Sequence, residues 1–250
     1  MSLQTLLILG GTGEAVDLAR ALATRHPNVH VITALAGVTR NPGDVPGTVH
    51  VGGFGGAIGL AAFIQDQAID AVIDATHPFA AQITQNALEA CTTAKIPRLR
   101  LDRPQWPHPQ DTDVVFVPDA QEAANLLVRT SSEAAFLTIG RKHLDAFAGL
   151  DKTKLLVRLI DEPTAPLDLD HYSVVTARPP FDVDEEEALM RAHHIDTLVS
   201  KASGGAATQA KLDAAERVRA RIILIRRPVP PDGDRVMSVD TALDWLEAQL

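Results

Sequence analysis

Runs of four to eight apolar residues alternate along the chain with stretches of ten to fifteen in which apolar positions recur every three or four. That alternation predicts repeated strand–helix units around a parallel sheet. In the first half, strands are expected over 5–9, 29–34, 49–51, 71–75 and 98–101, with helices between them. The first helix, 14–24, sets Ala15, Leu18, Ala19 and Leu22 on one face and Glu14, Asp17 and Arg20 on the other. Over 102–113 the pattern breaks at Pro104, Pro107 and Pro109, which no regular element carries internally. The alternation then restarts. Strands are expected over 114–117, 135–139, 155–160, 173–176, 197–200 and 222–226, and helices over 120–130, 184–194, 206–220 and 239–248. The reading is an α/β protein with mainly parallel sheets and two domains, 1–104 and 105–250. It leaves strand order open, as well as any exchange of a terminal strand between the halves.

Composition sharpens this picture. The chain is 250 residues long, enough for two cores. Only 7 Phe, 2 Trp and 1 Tyr are present, so Ala, Val, Leu and Ile must fill the interior, as suits parallel α/β layers. A formal net charge of -9 argues against nucleic acid as a partner. A single cysteine, Cys91, excludes an internal disulfide framework and a multi-cysteine metal site, and fits a reducing compartment. The N-terminal region has neither the basic segment nor the long apolar segment of a secretory signal, and runs such as 222–225 are far short of a membrane span. The expectation is a cytoplasmic protein without a membrane partner, as a monomer or weak homodimer.

The most informative local segment is Leu9-Gly10-Gly11-Thr12-Gly13-Glu14, between an expected strand and helix. Glycines there let the backbone approach a pyrophosphate, whose charge the helix N-terminus then holds. Val16 stands where the dinucleotide fingerprint has its third glycine, so the motif alone does not separate a phosphate loop from a tight turn. The second strand ends without the acid that bonds the ribose 2′-hydroxyl in NAD enzymes. It ends instead in Gly37, Thr39 and Arg40, which could hold a 2′-phosphate, so NADPH is favoured over NADH; a solvated surface arginine is the plain alternative. A further cluster around Gly53 follows the third strand and reads either as a close approach to the nicotinamide half or as a flexible turn. His77, in Asp74-Ala75-Thr76-His77-Pro78-Phe79, sits where the fourth strand gives way to a helix, with Pro78 suited to the first helical position. It could donate a proton or bond an acidic substrate, or simply cap the helix.

In the second half, Gly140-Arg141-Lys142-His143 follows one strand, and Ser200-Lys201-Ala202-Ser203-Gly204-Gly205 ends another. A polycarboxylate would need cations converging from several strand ends; ordinary surface lysine and arginine are the alternative. Tyr172 is followed four residues later by Thr176, so a Tyr-x-x-x-Lys catalytic pair is missing. Walker phosphate loop, zinc helix and hydrolase elbow are also missing, and no metal is expected.

The ordered set of the Gly10–Glu14 loop, the Asp74–Ala80 segment, Thr138-Ile139-Gly140-Arg141-Lys142 and Ser200–Gly205 resembles the precorrin-6A reductase family over nearly the whole chain. Arg100-Leu101-Asp102-Arg103-Pro104, Val157-Arg158 and Arg226-Arg227-Pro228 add to the likeness. The resemblance implies two Rossmann-like domains facing each other across a cleft. It further implies reduction of one ring double bond of precorrin-6A by NADPH, giving precorrin-6B in cobalamin biosynthesis. Gly11, Thr12 and Gly13, with Glu14 beside them, would then approach the cofactor phosphates, and Gly37, Thr39, Arg40 and Gly53 would complete its site. Arg103, Arg141, Lys142, Ser200, Lys201, Ser203 and Gly204 would bind the substrate, with Lys201 or His77 nearest the reacting edge as catalytic groups. Cobalt-precorrin-6A with NADH, another reductase substrate and a nucleotide-binding sensor are the alternatives.

Overall fold

The computed structural model describes residues 3–36, 45–107, 109 and 112–249. In chain order the first elements are β1 (Thr5–Leu9), α1 (Gly13–Arg25), β2 (His30–Leu35), β3 (Thr48–Val51), α2 (Gly56–Asp66), β4 (Ala71–Asp74), α3 (Ala81–Ala94) and β5 (Arg98–Leu101). Then come β6 (Val114–Val117), α4 (Ala120–Arg129), β7 (Ala134–Thr138), a 3-10 segment Arg141–Phe147, β8 (Lys154–Leu159), β9 (Tyr172–Thr176), α5 (Val183–Ala192) and β10 (Thr197–Lys201). A short 3-10 turn Ala206–Thr208 leads into α6 (Ala210–Arg217), followed by β11 (Arg221–Ile225), β12 (Asp234–Val236) and α7 (Val239–Glu247). No helix among the described residues is long and apolar enough to cross a membrane.

The strands form two parallel six-stranded sheets, in the orders β12-β5-β4-β1-β2-β3 and β6-β11-β10-β7-β8-β9. The first is the doubly wound 3-2-1-4-5-6 order, with β12 in the sixth position. Taking β7 as strand one, the second sheet has the same order, with β6 in the sixth position. The chain accordingly divides into Met1–Pro104 with Pro228–Leu250, and Gln105–Arg227. A second domain running unbroken over 105–250 is therefore corrected. Residues 234–236 pair in parallel with β5, in the register Asp234↔Leu99 to Val236↔Leu101, and α7 packs Ala242, Leu243 and Leu246 into the first unit's core. Strand β12 takes the place β6 would occupy if each half kept its own chain order.

Alternation along the strands explains the layering. Leu6 and Ile8 of β1, with Ile73 and Leu99, pack under Leu18 and Leu22 of α1 and under α7. Their neighbours Leu7 and Leu9, with Ile32 and Val72, pack on Leu60 and Ile64 of α2 and Ala87 and Cys91 of α3. In the second unit Phe136, Leu198, Ile222 and Leu224 meet Met190 of α5 and Leu212 and Ala215 of α6. Both faces of each central strand are covered, which is why these strands read as continuous apolar runs.

Two helix boundaries differ from expectation. The helix over 206–220 is instead a 3-10 turn and then α6. Gly204 and Gly205 adopt positive φ (65° and 85°), and the turn closes through i→i+3 bonds such as Gln209 N–H to the Ala206 carbonyl. After β4, Pro78 does not open the helix. A turn closed by Ala80 N–H on the His77 carbonyl (2.8 Å) intervenes, and α3 begins at Ala81 with Ala80 as its N-cap, so His77 is not a helix cap.

Candidate functional site

In a doubly wound sheet, ligands bind outside the C-terminal strand edge where the strand order reverses, here between β1 and β4. The turn after β1 is tightly built. Gly10 N–H donates to the Ala34 carbonyl (2.8 Å), and a Cβ on Gly10 would meet the Thr33 methyl at 3.1 Å, so a larger residue would have to push that side chain aside. Gly11 has φ 101°, a conformation that favours glycine. Thr12 is the N-cap of α1: its Oγ1 accepts from Ala15 N–H (3.2 Å) and donates to the Ala75 carbonyl (2.7 Å), tying the loop to the end of β4. A Cβ on Gly11 or Gly13 would meet nothing within 4 Å, so the loop presents bare backbone to open space beside a helix N-terminus. That donor set suits a pyrophosphate.

Glu14 and Arg103 are brought together, with Glu14 Oε2 2.6 Å from the Arg103 guanidinium. This ion pair ties the start of α1 to the segment after β5. Residues assigned separately to cofactor and substrate are thus mutual partners. Gly53 lies in the loop after β3, the edge strand on the β2 side of the sheet. Gly37, Thr39 and Arg40 lie outside the described residues.

Below the β4–β5 edge lies a buried ionic cluster that sequence reasoning did not assign. Arg100 contacts Asp74 at 2.7 Å, with the two side chains 4% and 0% exposed. Arg100 also donates to Thr76 Oγ1 (3.0 Å), Thr84 Oγ1 (3.3 Å) and the Thr76 carbonyl (2.9 Å), while Thr76 Oγ1 donates to Asp74 Oδ1 (2.7 Å). Asp102 stands 3.9 Å from the same guanidinium. The cluster ties the backbone just before His77 to β5 through Arg100. His77 Nδ1 accepts from Phe79 N–H (3.2 Å), which leaves the proton of the neutral ring on Nε2.

The second sheet reverses order between β7 and β10. Gly140 (φ 76°) opens the 3-10 segment that carries Arg141, Lys142 and His143, with Arg141 and Lys142 exposed. Lys201 ends β10. Partial burial, then the charge of Lys142, lowers its ammonium from 10.5 to about 8. His143 is also lowered, by burial first and then by Lys201 and Lys142. Ser200 is fully buried, its Oγ donating to the Lys201 carbonyl (3.2 Å), and Ser203 is buried with its Oγ 3.4 Å from the same carbonyl. Arg227 grips this loop through the Ala202 and Ser203 carbonyls (2.7 and 3.0 Å). The seryl side chains therefore shape the loop, and the charge at this edge comes from Lys201, Lys142, Arg141 and a lysine the sequence did not single out, Lys211. Its place within an apparently regular amphipathic helix gave no signal.

The two edges differ in kind: the first offers glycine backbone and a capped helix N-terminus, the second cationic side chains. A family described as "Precorrin-6x reductase CbiJ/CobK" matches residues 5–247. The precorrin-6A reductase of Rhodococcus erythropolis is 46% identical over 242 residues, 96% of each chain. That of Mycobacterium tuberculosis (strain H37Rv) is 40% identical over 242 residues, again 96% of each. A solved structure of CobK precorrin-6A reductase superposes with a TM-score of 0.93 at 36% identity, covering 98% of this chain and 97% of that one. With glycine loop, cationic strand ends and both sheets falling within the matched span, this chain belongs to the precorrin-6x reductase CbiJ/CobK family.

Proposed function

We propose that this protein reduces precorrin-6A to precorrin-6B in cobalamin biosynthesis, with NADPH as the hydride donor. Membership of the family over residues 5–247 is the observation that carries the reading. The first unit binds the cofactor: Gly11, Thr12 and Gly13 present the backbone and the α1 N-terminus to its pyrophosphate. Gly37, Thr39 and Arg40 bear on the 2′-phosphate. Because the end of β2 serves the adenosine ribose and β3 lies beyond β2, Gly53 falls to the adenosine side rather than the nicotinamide side. Glu14 acts by holding Arg103, which limits the charge Arg103 offers a substrate carboxylate.

When bound, NADPH supplies a hydride to one carbon of the conjugated ring system. The protein's own contribution is positioning, charge neutralisation and a proton for the neighbouring carbon. Lys201, Lys142 and Arg141 hold peripheral carboxylates, and the 200–205 loop shapes their surroundings through Ser200, Ser203 and Gly204. Lys201 Nζ, with an acidity near neutrality, can deliver the proton, whereas the neutral His77 ring offers its Nε2–H as a hydrogen bond to the substrate.

The test is the loss of nicotinamide absorbance with precorrin-6A, comparing NADPH with NADH, in the wild type and in Arg40→Ala. NADPH-dependent reduction is expected, and Arg40→Ala should weaken NADPH far more than NADH, since a charged phosphate contact is worth about 1.5 to 3 kcal/mol. Turnover only with NADH and the cobalt-loaded substrate would reassign substrate and cofactor together. Tight cofactor binding without turnover of either tetrapyrrole would point to another reductase substrate or to a sensor.

A further inference from the structure

Lys211, on the first turn of α6, is 5% exposed, although no feature of the sequence marks it. Its Nζ donates to Thr138 Oγ1 (3.3 Å) at the end of β7, and that hydroxyl donates to the Val199 carbonyl (3.3 Å) in β10. The amine also stands 5.0 Å from the centre of the Trp106 ring, whose Nε1–H donates to the Gly205 carbonyl (2.7 Å). Lys211 thus lies directly beneath the β7–β10 reversal and the 200–205 loop. The charged groups facing it are Arg158 on β8, Glu186 on α5 and Lys201 on β10. Glu186 is already engaged by Arg158 through two hydrogen bonds (2.8 and 2.6 Å). Among the described residues no carboxylate forms an ion pair with Lys211.

An ammonium whose direct partners among the described residues are a hydroxyl and an indole face is costly to bury. Burial, then Arg158, lowers it from 10.5 to about 7. Between those values the unfolded chain takes up a proton that the folded chain resists. The cost to stability therefore grows as pH falls from 10.5 toward 7 and stays constant below. An apolar side chain of similar length would relieve it, which makes the amine a poor structural choice and an apt device for ligand binding.

We infer that Lys211 is a positioning residue whose amine stands beneath the 200–205 loop, and that a carboxylate of the ligand seated on that loop is the counter-charge that holds it as an ammonium. The inference rests on the tetrapyrrole reading. It places the anion subsite at the β7–β10 reversal, with Lys201 beside the carboxylate and Lys211 behind it.

The experiment is fluorescence titration of the protein with a stable polycarboxylic porphyrin, at about pH 6 and about pH 9, on either side of the lysine's shifted acidity. Wild type is compared with Lys211→Met and with Lys211→Gln, which keeps a donor for Thr138 without the charge, and Tm is measured for each. At the lower pH both variants are expected to bind about tenfold more weakly, with Tm unchanged or raised. At the higher pH, where the wild-type amine is neutral, the difference should vanish. Unchanged affinity, recovery by Gln, or a loss of affinity that tracks a fall in Tm would overturn the inference and leave the tetrapyrrole reading standing. Failure of the wild type to bind the porphyrin while it binds NADPH would overturn both.

Discussion

At the scale of single residues, this protein places charge where water is scarce, and two different solutions result. In the first unit Arg100 is matched by Asp74 and by threonine hydroxyls, so the buried charge is compensated and anchors the backbone before the His77 turn. In the second unit Lys201 and Lys211 are desolvated by burial and face other cations, and their acidity is shifted toward neutrality. The consequence for Lys201 can be measured. Its folded-state value is about 8, so it is charged below and neutral above, and kcat/KM for the tetrapyrrole should fall as pH rises through 8. Lys201→Ala should lower kcat/KM about tenfold or more at neutral pH and remove that limb of the profile, the loss expected for a contact to a charged group. A variant with wild-type kcat/KM and an unchanged profile would take Lys201 out of the reaction.

At the scale of elements, the turn between β1 and α1 shows local sequence and long-range contact specifying one geometry. Thr12 caps its own helix and reaches Ala75 across the reversal, so a single hydroxyl fixes both the start of α1 and its distance from β4. Thr12→Val keeps the volume and removes both bonds. It should cost about 1 to 2 kcal/mol in urea unfolding, as lost N-caps do, and, on the proposed function, weaken binding of the nicotinamide cofactor by loosening the glycine turn. Stability within a few tenths of wild type would show that the cap is dispensable. The corresponding position of the second unit has diverged, because Gly140 leads into the 3-10 segment Arg141–Phe147 rather than an α-helix. Cationic side chains stand there in place of a helix N-terminus. The cations were legible in the sequence, whereas the 3-10 geometry that presents them was not, since short runs of either helix type share the same apolar spacing.

At the scale of the whole molecule, the decisive feature is the exchanged sixth strand. A chain ended at Arg227 would leave β5 as an open edge and expose the face of α1 that Ala242, Leu243 and Leu246 cover. Such a chain is expected to aggregate and to lose binding of the nicotinamide cofactor, observable by size-exclusion chromatography and cofactor titration. A soluble monomer with native affinity would show that β12 and α7 are accessories. The sequence by itself determined the strand–helix alternation, the α/β class, the glycine loop and the cationic strand ends. Buried parallel strands must be apolar on both faces, and the chemistry of a loop is set by the residues it contains. Tertiary structure alone decided the sheet to which 234–236 belong, the pairing of Glu14 with Arg103 and the burial of Lys211. Strand 234–236, Asp-Arg-Val, is short, largely exposed and polar, so no hydrophobic pattern announces it. The Glu14–Arg103 pair joins positions 89 residues apart, and Lys211 is enclosed by Trp106, which lies outside its own helix; neither separation leaves any periodic trace in the chain.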